Sequence, residues 1–271
     1  METIIKPQRQ FSWTDIAEIW RYRELLYFLT WRDIKVRYKQ TVIGIGWGLF
    51  QPFVTMVVFS VVFGHFGQIP SDNVPYPIFV FVGLLLWQFF SSSLNDASNS
   101  LITNQSIVTK VYFPRLLLPV SVIITNLVDF LISTCILIGL MIYYGYLPHL
   151  SGFLLFPFLL LITICIALGG GMILASFNVK YRDLRYALPF FIQIMLFITP
   201  VIYSPSILEK YSWILAVNPM TGVIKAARAA ILGATPINWE LLAISGGGAA
   251  VLLIAGVLLF KKTEQNFADL I

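Results

Sequence analysis

Trp47, Phe50 and Phe53 recur every three residues, and Trp87, Phe89 and Phe90 form a second cluster, in a chain that is 15% aromatic. The apolar face of such a ring stacks on the C–H face of a sugar, and a stacked contact slides without breaking a fixed hydrogen bond. Lipid contact and helix packing are the ordinary alternative for the same rings. Arg32, Lys35, Arg37 and Lys39 crowd one end of the leading segment. Asp129, with Asn126 one turn before it, is the single acid inside an otherwise uncharged stretch. It reads as a relay or substrate contact, or more simply as a carboxylate paired with a neighbouring helix or seated near water. No GxxxxGK[ST] phosphate loop occurs, so the chain does not hydrolyse ATP by itself. His65 and His149 stand in different loops and Cys135 and Cys165 in apolar runs, without metal-ligand spacing. No nucleophile–base or paired-carboxylate set is visible, so an enzyme is not expected.

The elements that must position these residues follow from composition. The 271 residues are 58% hydrophobic and 11% charged, with a mean hydropathy of +0.82. Soluble domains run at about 45–50% apolar and about 25% charged. The chain is therefore expected to be an all-α membrane protein. A span needs about 20 mostly apolar residues. Stretches 41–64, 73–95, 149–179, 186–208 and 241–260 qualify without a charge, and 116–148 qualifies apart from Asp129. Six transmembrane helices put both termini on one side. Of the 18 basic residues, all but Lys210, Lys225 and Arg228 fall on that side, which makes it cytoplasmic by the positive-inside rule. The first 40 residues lack the apolar core of a signal peptide, consistent with a multi-pass protein of the cytoplasmic (inner) membrane. One membrane domain, 1–271, thus divides into a cytoplasmic interface helix at 12–40, a six-span bundle at 41–260 and a cytoplasmic tail at 261–271.

Two segments are not simple spans. Residues 14–39 place Ile16, Ile19, Trp20, Leu26, Tyr27, Trp31 and Ile34 near helical spacing among charges, with Asp15 and Glu18 as a capping pair. This amphipathic helix lies on a membrane surface or packs on its own protein. In the long connection 204–240, Asn218 is a helix cap, Pro219 the first helical residue and Gly233 a stop, around a mildly apolar 220–232 too short to span. A re-entrant helical hairpin on the outer face, between spans five and six, is expected. The glycines at 169–171 and 246–248 are expected to let helices approach closely, as is the pair Gly44 and Gly48.

The run Arg37-Tyr38-Lys39-Gln40-Thr41-Val42-Ile43-Gly44-Ile45-Gly46-Trp47, followed by Gln51-Pro52, resembles the first-span signature of polysaccharide-exporting ABC transporter permeases, the exporters of O-antigens, capsules and teichoic acids. Lys110-Val111-Tyr112-Phe113-Pro114-Arg115, Asn178-Val179-Lys180-Tyr181-Arg182-Asp183-Leu184, Thr199-Pro200-Val201-Ile202-Tyr203, Asn218-Pro219 and Phe267-Ala268-Asp269-Leu270-Ile271 match in the same order along nearly the whole chain. The resemblance implies a permease dimer that docks two copies of a separate cytoplasmic ATPase. ATP and Mg would be bound on that partner and no cofactor on this chain. Further implied partners are a lipid-linked, O-antigen-like polysaccharide and membrane lipid, with no nucleic acid. The stacking faces of Trp47, Phe50, Phe53, Trp87 and Phe90 make these the candidate lining of such a channel, with lipid contact or packing as the other reading. ATPase coupling falls to Lys110, Tyr112, Phe113, Pro114 and Arg115, with a head-group anchor as the other reading. Arg32, Lys35, Arg37 and Lys39 would meet a lipid diphosphate headgroup, or equally ordinary anionic lipid. Asn218, Pro219 and Met220 would form an outer gate. A related permease for drugs, haem or lipids is the alternative. An ion-coupled carrier or a membrane transferase fits less well, for want of intramembrane charge and of an acid/base set.

Overall fold

The structure, a computed structural model, describes residues 20–39, 46–146, 150–181, 183–204, 218–233, 235–264 and 267. Among them every regular element is helical. They are α1 (Arg23–Lys39), α2 (Gly46–Phe59) continuing as a π-helix (Ser60–Phe66), α3 (Tyr76–Thr103), the short α4 (Gln105–Val108), α5 (Leu117–Tyr144), α6 (Leu150–Lys180), α7 (Leu184–Ile198), α8 (Pro219–Leu232) and α9 (Trp239–Glu264). Five stretches are long and apolar enough to cross a membrane: Leu49–Phe66, Tyr76–Thr103, Leu117–Tyr144, Leu154–Lys180 and Trp239–Glu264.

α7 is apolar but only 15 residues long. At roughly 1.5 Å per residue it reaches about 22 Å, short of a hydrocarbon layer of about 30 Å. The helix expected over 186–208 breaks early because Thr199 is extended (φ −75°, ψ 136°) ahead of Pro200, whose ring disfavours a helical residue before it. Residues 199–204 form a largely buried turn instead. Other boundaries move for equally local reasons. Asp72 and Asn73 take left-handed φ values of 54° and 60°, and α3 starts only after Pro75. It then runs on past Asn95 to Thr103, because its polar last turns find partners in α1, α5 and α6. α5 ends where Gly145 adopts φ 71° and the Tyr146 N–H reaches back to the Met141 carbonyl at 2.9 Å.

α3 is the hub and packs against α2, α5, α6, α7 and α8. A large apolar core runs through the bundle around Phe79, Phe81, Leu86 and Leu159. A second core gathers Leu29, Leu101, Phe113, Leu117, Met172, Phe260 and Phe267 at the end where α3, α6 and α9 finish and α5 begins. Along the seam between α6 and α9, a Cβ on Gly256 would strike the Gly169 carbonyl, so Gly169 acts as its spacing predicts. The 246–248 run does not. Nothing lies within 4 Å of a Cβ on Gly247, and a Cβ on Gly248 would meet only ordinary contact at 3.6 Å. Gly48 and Gly44 lie outside the residues whose side-chain surroundings are described.

α1 packs on α5 through Leu29, with Tyr22, Leu25 and Leu26 against the second core. Its other face leaves Tyr27, Phe28 and Trp31 exposed. Ile16 and Ile19 lie outside the described residues. α8 begins and ends as the sequence indicates: the Asn218 side chain accepts from the Met220 N–H at 3.0 Å, and Gly233 closes the helix at φ 66°. Its surroundings are protein on every side. α8 is buried almost throughout, between α3, α6 and α9, because Gly222 admits Ser245 and the Leu241 carbonyl while Gly152 admits the Ala230 carbonyl.

Candidate functional site

Two residue sets chosen for different roles meet around one cavity of about 710 Å³. Trp87 and Phe90 of α3 form one wall, Leu188, Phe191 and Met195 of α7 another, and Asn218, Pro219 and Met220 close one side. Asn218 contributes the one amide of an otherwise apolar lining. Its Nδ2 donates to Thr199 Oγ1 at 2.7 Å, which ties the start of α8 to the end of α7. Phe50 and Phe53 are not brought there; they lie exposed on α2. The Trp47 side chain is outside the described residues. Phe89 points elsewhere again, since helical periodicity puts it on a different face of α3 from Trp87 and Phe90. It packs on Phe130 at 5.4 Å and lines a small pocket of about 40 Å³ with Gln88, Ser92, Asn126, Asp129 and Ser133.

The four basic residues of α1 divide into two pairs. The Arg37 guanidinium donates to Asn126 at 2.8 Å, to Asp96 at 3.2 Å and, more closely, to Asp129. The Tyr38 hydroxyl also donates to Asp129, and Asn126 donates to Asp96 at 3.2 Å. Arg32 holds Asp33 at 2.7 Å and Asn104 at 2.6 Å. Lys35 and Lys39 stay exposed. One guanidinium facing two carboxylates is already overcompensated, so in this conformation Arg37 is a tie between α1, α3 and α5 before it is a receptor for an anion. Burial lowers the Arg37 pKa, yet Asp129 and then Asp96 outweigh it and hold the group above the ordinary arginine value. Burial, and then the bond to Asp129, likewise push the Tyr38 phenol up. Asp129 thus takes the simpler of its two roles, a carboxylate paired with a neighbouring helix.

The loop after α4 joins an exposed tip to a fixed base. Lys110 and Val111 stand out, and Tyr112 is 75% exposed, whereas Phe113 is 4% exposed in the second core and Pro114 is buried. Arg115 fastens the base to the end of α9. Its backbone N–H donates to Glu264 Oε1 at 3.0 Å, its guanidinium to the Glu264 carbonyl, and the same group lies 5.9 Å from the Phe267 ring. The later segment around Asn178 is anchored too, with Nδ2 on the Ser98 carbonyl at 3.2 Å and on Asn99 Oδ1 at 3.0 Å.

Sequence reasoning missed Asp96, Glu264 and Arg228. Asp96 lies just past the expected end of a span and Glu264 in the expected tail, so neither looked like the partner of an arginine on another helix or loop. Arg228 counts in the sequence as an outer-face charge, yet it is 6% exposed inside α8. Its neighbours Val223, Ile224, Ala227 and Ile231 were the available signal, since apolar residues all round it mark a buried turn.

Residues 24–232 match the family described as ABC-2 type transporter. The chain is 32% identical over 260 residues to the O-antigen export system permease protein RfbA of Myxococcus xanthus, covering 94% of this chain and 98% of that one. It is 29% identical over 249 residues to the O-antigen export system permease protein RfbA of Klebsiella pneumoniae, covering 92% and 95%. To the polysialic acid transport protein KpsM of Escherichia coli it is 23% identical over 239 residues, covering 86% and 91%. With apolar helices of membrane-crossing length, a family match over most of the chain and relatives aligned nearly end to end, the chain belongs to the ABC-2 type transporter membrane family.

Proposed function

We propose that this chain is the channel-forming permease subunit of an ATP-driven exporter that moves a lipid-linked, O-antigen-like polysaccharide across the cytoplasmic membrane. The end-to-end similarity to O-antigen export permeases carries this reading, and it favours polysaccharide over the drug, haem or lipid cargo of other permeases. In this reading α2, α3, α5, α6, α7 and α9 supply six spans with both termini in the cytoplasm. The short α7 is completed by its exit turn, and α8 returns as the re-entrant arm of the outer hairpin. Two copies form the conduit. Trp87 and Phe90 line it with the cavity wall of α7, Trp47, Phe50 and Phe53 face it from α2, and Asn218, Pro219 and Met220 close its outer end. A soft aromatic wall suits a polymer that must slide, because stacking holds a sugar without fixing its register.

Energy enters from a separate ATPase that binds ATP and Mg. The rigid base and protruding tip of the 110–115 loop suit a lever: Lys110 and Tyr112 would meet the ATPase, while Phe113, Pro114 and Arg115 pass its movement to α5 and α9. At the headgroup site the exposed Lys35 and Lys39 are the first cations an arriving diphosphate would meet, with Arg32 and Arg37 behind them. The test is capture of the ATPase by the tagged full-length chain from solubilised membranes. Tyr112→Ala with Lys110→Glu should abolish capture without lowering the amount of folded permease. Phe113→Ala should lower the amount itself, since emptying a buried phenylalanine site costs about 3–5 kcal/mol. Full capture by the Lys110 and Tyr112 variant would remove the loop from the contact.

A further inference from the structure

Arg228 is a charged side chain at the centre of an apolar bundle, and its placement is specific. Its Nε donates to the Phe79 carbonyl at 3.2 Å, one terminal nitrogen to Pro200 at 2.8 Å and Tyr203 at 3.3 Å, and the other to Val201 at 2.5 Å. The guanidinium also lies over the Phe79 ring at 3.7 Å. The planar fork therefore spends four of its donors on carbonyls from two separate elements, the first turn of α3 and the turn after α7. Those turn carbonyls lie at the negative end of the α7 dipole, which offsets the desolvation of the cation. Room for the group is reserved: a Cβ on Gly83 would lie 2.8 Å from the guanidinium and 3.1 Å from the Val201 carbonyl oxygen.

Three smaller links join the same pieces. The Tyr76 hydroxyl donates to the Ile202 carbonyl at 2.6 Å, Ser204 to Asp72 at 2.9 Å and Asn218 to Thr199 at 2.7 Å. The start of α3, the exit turn of α7 and α8 are thus fastened around one guanidinium. The rest of α7 leaves Tyr186, Phe190, Phe191 and Phe197 exposed, while Ile192 and Leu196 pack on the main core.

We propose that Arg228 is a positioning residue that holds α8 and the exit turn of α7 onto α3 as a single closure over one end of the conduit. The proposal rests on the reading of the cavity as part of that conduit. Removing the guanidinium takes the donor from the buried Pro200 and Val201 carbonyls and from the half-buried Tyr203 carbonyl, so the turn and α8 separate from α3 and water enters. Lysine keeps the charge but lacks the fork and restores the closure only in part.

The experiment uses the full-length chain in vesicles of phosphatidylethanolamine and phosphatidylglycerol, loaded with a small self-quenching anionic dye and given no nucleotide. Wild-type vesicles should hold the dye, Arg228→Gln should release it about tenfold faster or more, and Arg228→Lys should fall between. Gly83→Ala keeps the guanidinium but displaces it, and should leak as well. It decides the question should Arg228→Gln fail to insert. Dye retention equal to wild type in the inserted variants overturns the closure. Polymer export by the intact transporter is measured in parallel. Tight variants with export still dependent on the chain overturn the closure alone, whereas export that never depends on the chain overturns the reading beneath it.

Discussion

Arg37, half-buried where α1 meets α3 and α5, and Arg228, buried within α8, both tie helices together, but their surroundings differ in kind. Arg228 is met by carbonyl dipoles and a ring face. Arg37 faces Asp96 and Asp129, each about one-third exposed at the side chain. Breaking that pairing leaves two carboxylates close together without their cation. Arg37→Met should therefore lower the unfolding free energy of the detergent-solubilised protein by about 1–2 kcal/mol, between the values for surface and buried pairs. Adding Asp129→Asn should return part of that loss, because one of the stranded charges is gone. Strictly additive losses in thermal or denaturant unfolding would show that the three groups do not act together. The pairing was not legible in the chain, since the partners of Arg37 lie 59 and 92 positions away. What was legible was that Asp129 needed a partner.

At the scale of elements, five of the six expected stretches are helices long enough to span, because about 20 apolar residues have few other uses, while 186–208 yields only the shorter α7. Boundaries were not legible. The ends of α3 and α5 are set by left-handed residues and partner hydrogen bonds, and the end of α7 by Thr199 before Pro200. The aromatic clusters show the same division. Trp87, Phe90 and the 218–220 segment share a cavity that no spacing announced, while Phe50 and Phe53 lie exposed on α2. Glycine runs were half legible, since a run permits close approach but does not say which neighbour comes near. The seam between α6 and α9 tests this. Gly256→Ala places a methyl against backbone at Gly169 and should cost about 1–3 kcal/mol, whereas Gly247→Ala, with open space around it, should be neutral or slightly stabilising. Equal melting temperatures for the two variants would mean the helices do not meet there.

For the whole molecule, the proposed orientation places residue 149 outside and residue 180 inside. In a chain with Cys135 and Cys165 replaced, a cysteine at 149 should react with an impermeant thiol reagent applied to intact cells or spheroplasts, and one at 180 only after the membrane is opened. Reversed labelling would invert every assignment of gate and coupling loop. The central claim is that this chain carries polysaccharide outward on energy supplied by a separate ATPase. The direct measurement is where the polymer accumulates in cells from which the chain is removed and then restored. Removal, or a hydrolysis-dead ATPase beside the intact chain, should leave the lipid-linked polymer at the cytoplasmic face and strip it from the surface, with recovery when both subunits return. Surface polymer at normal levels without the chain, or without nucleotide hydrolysis, would contradict the account.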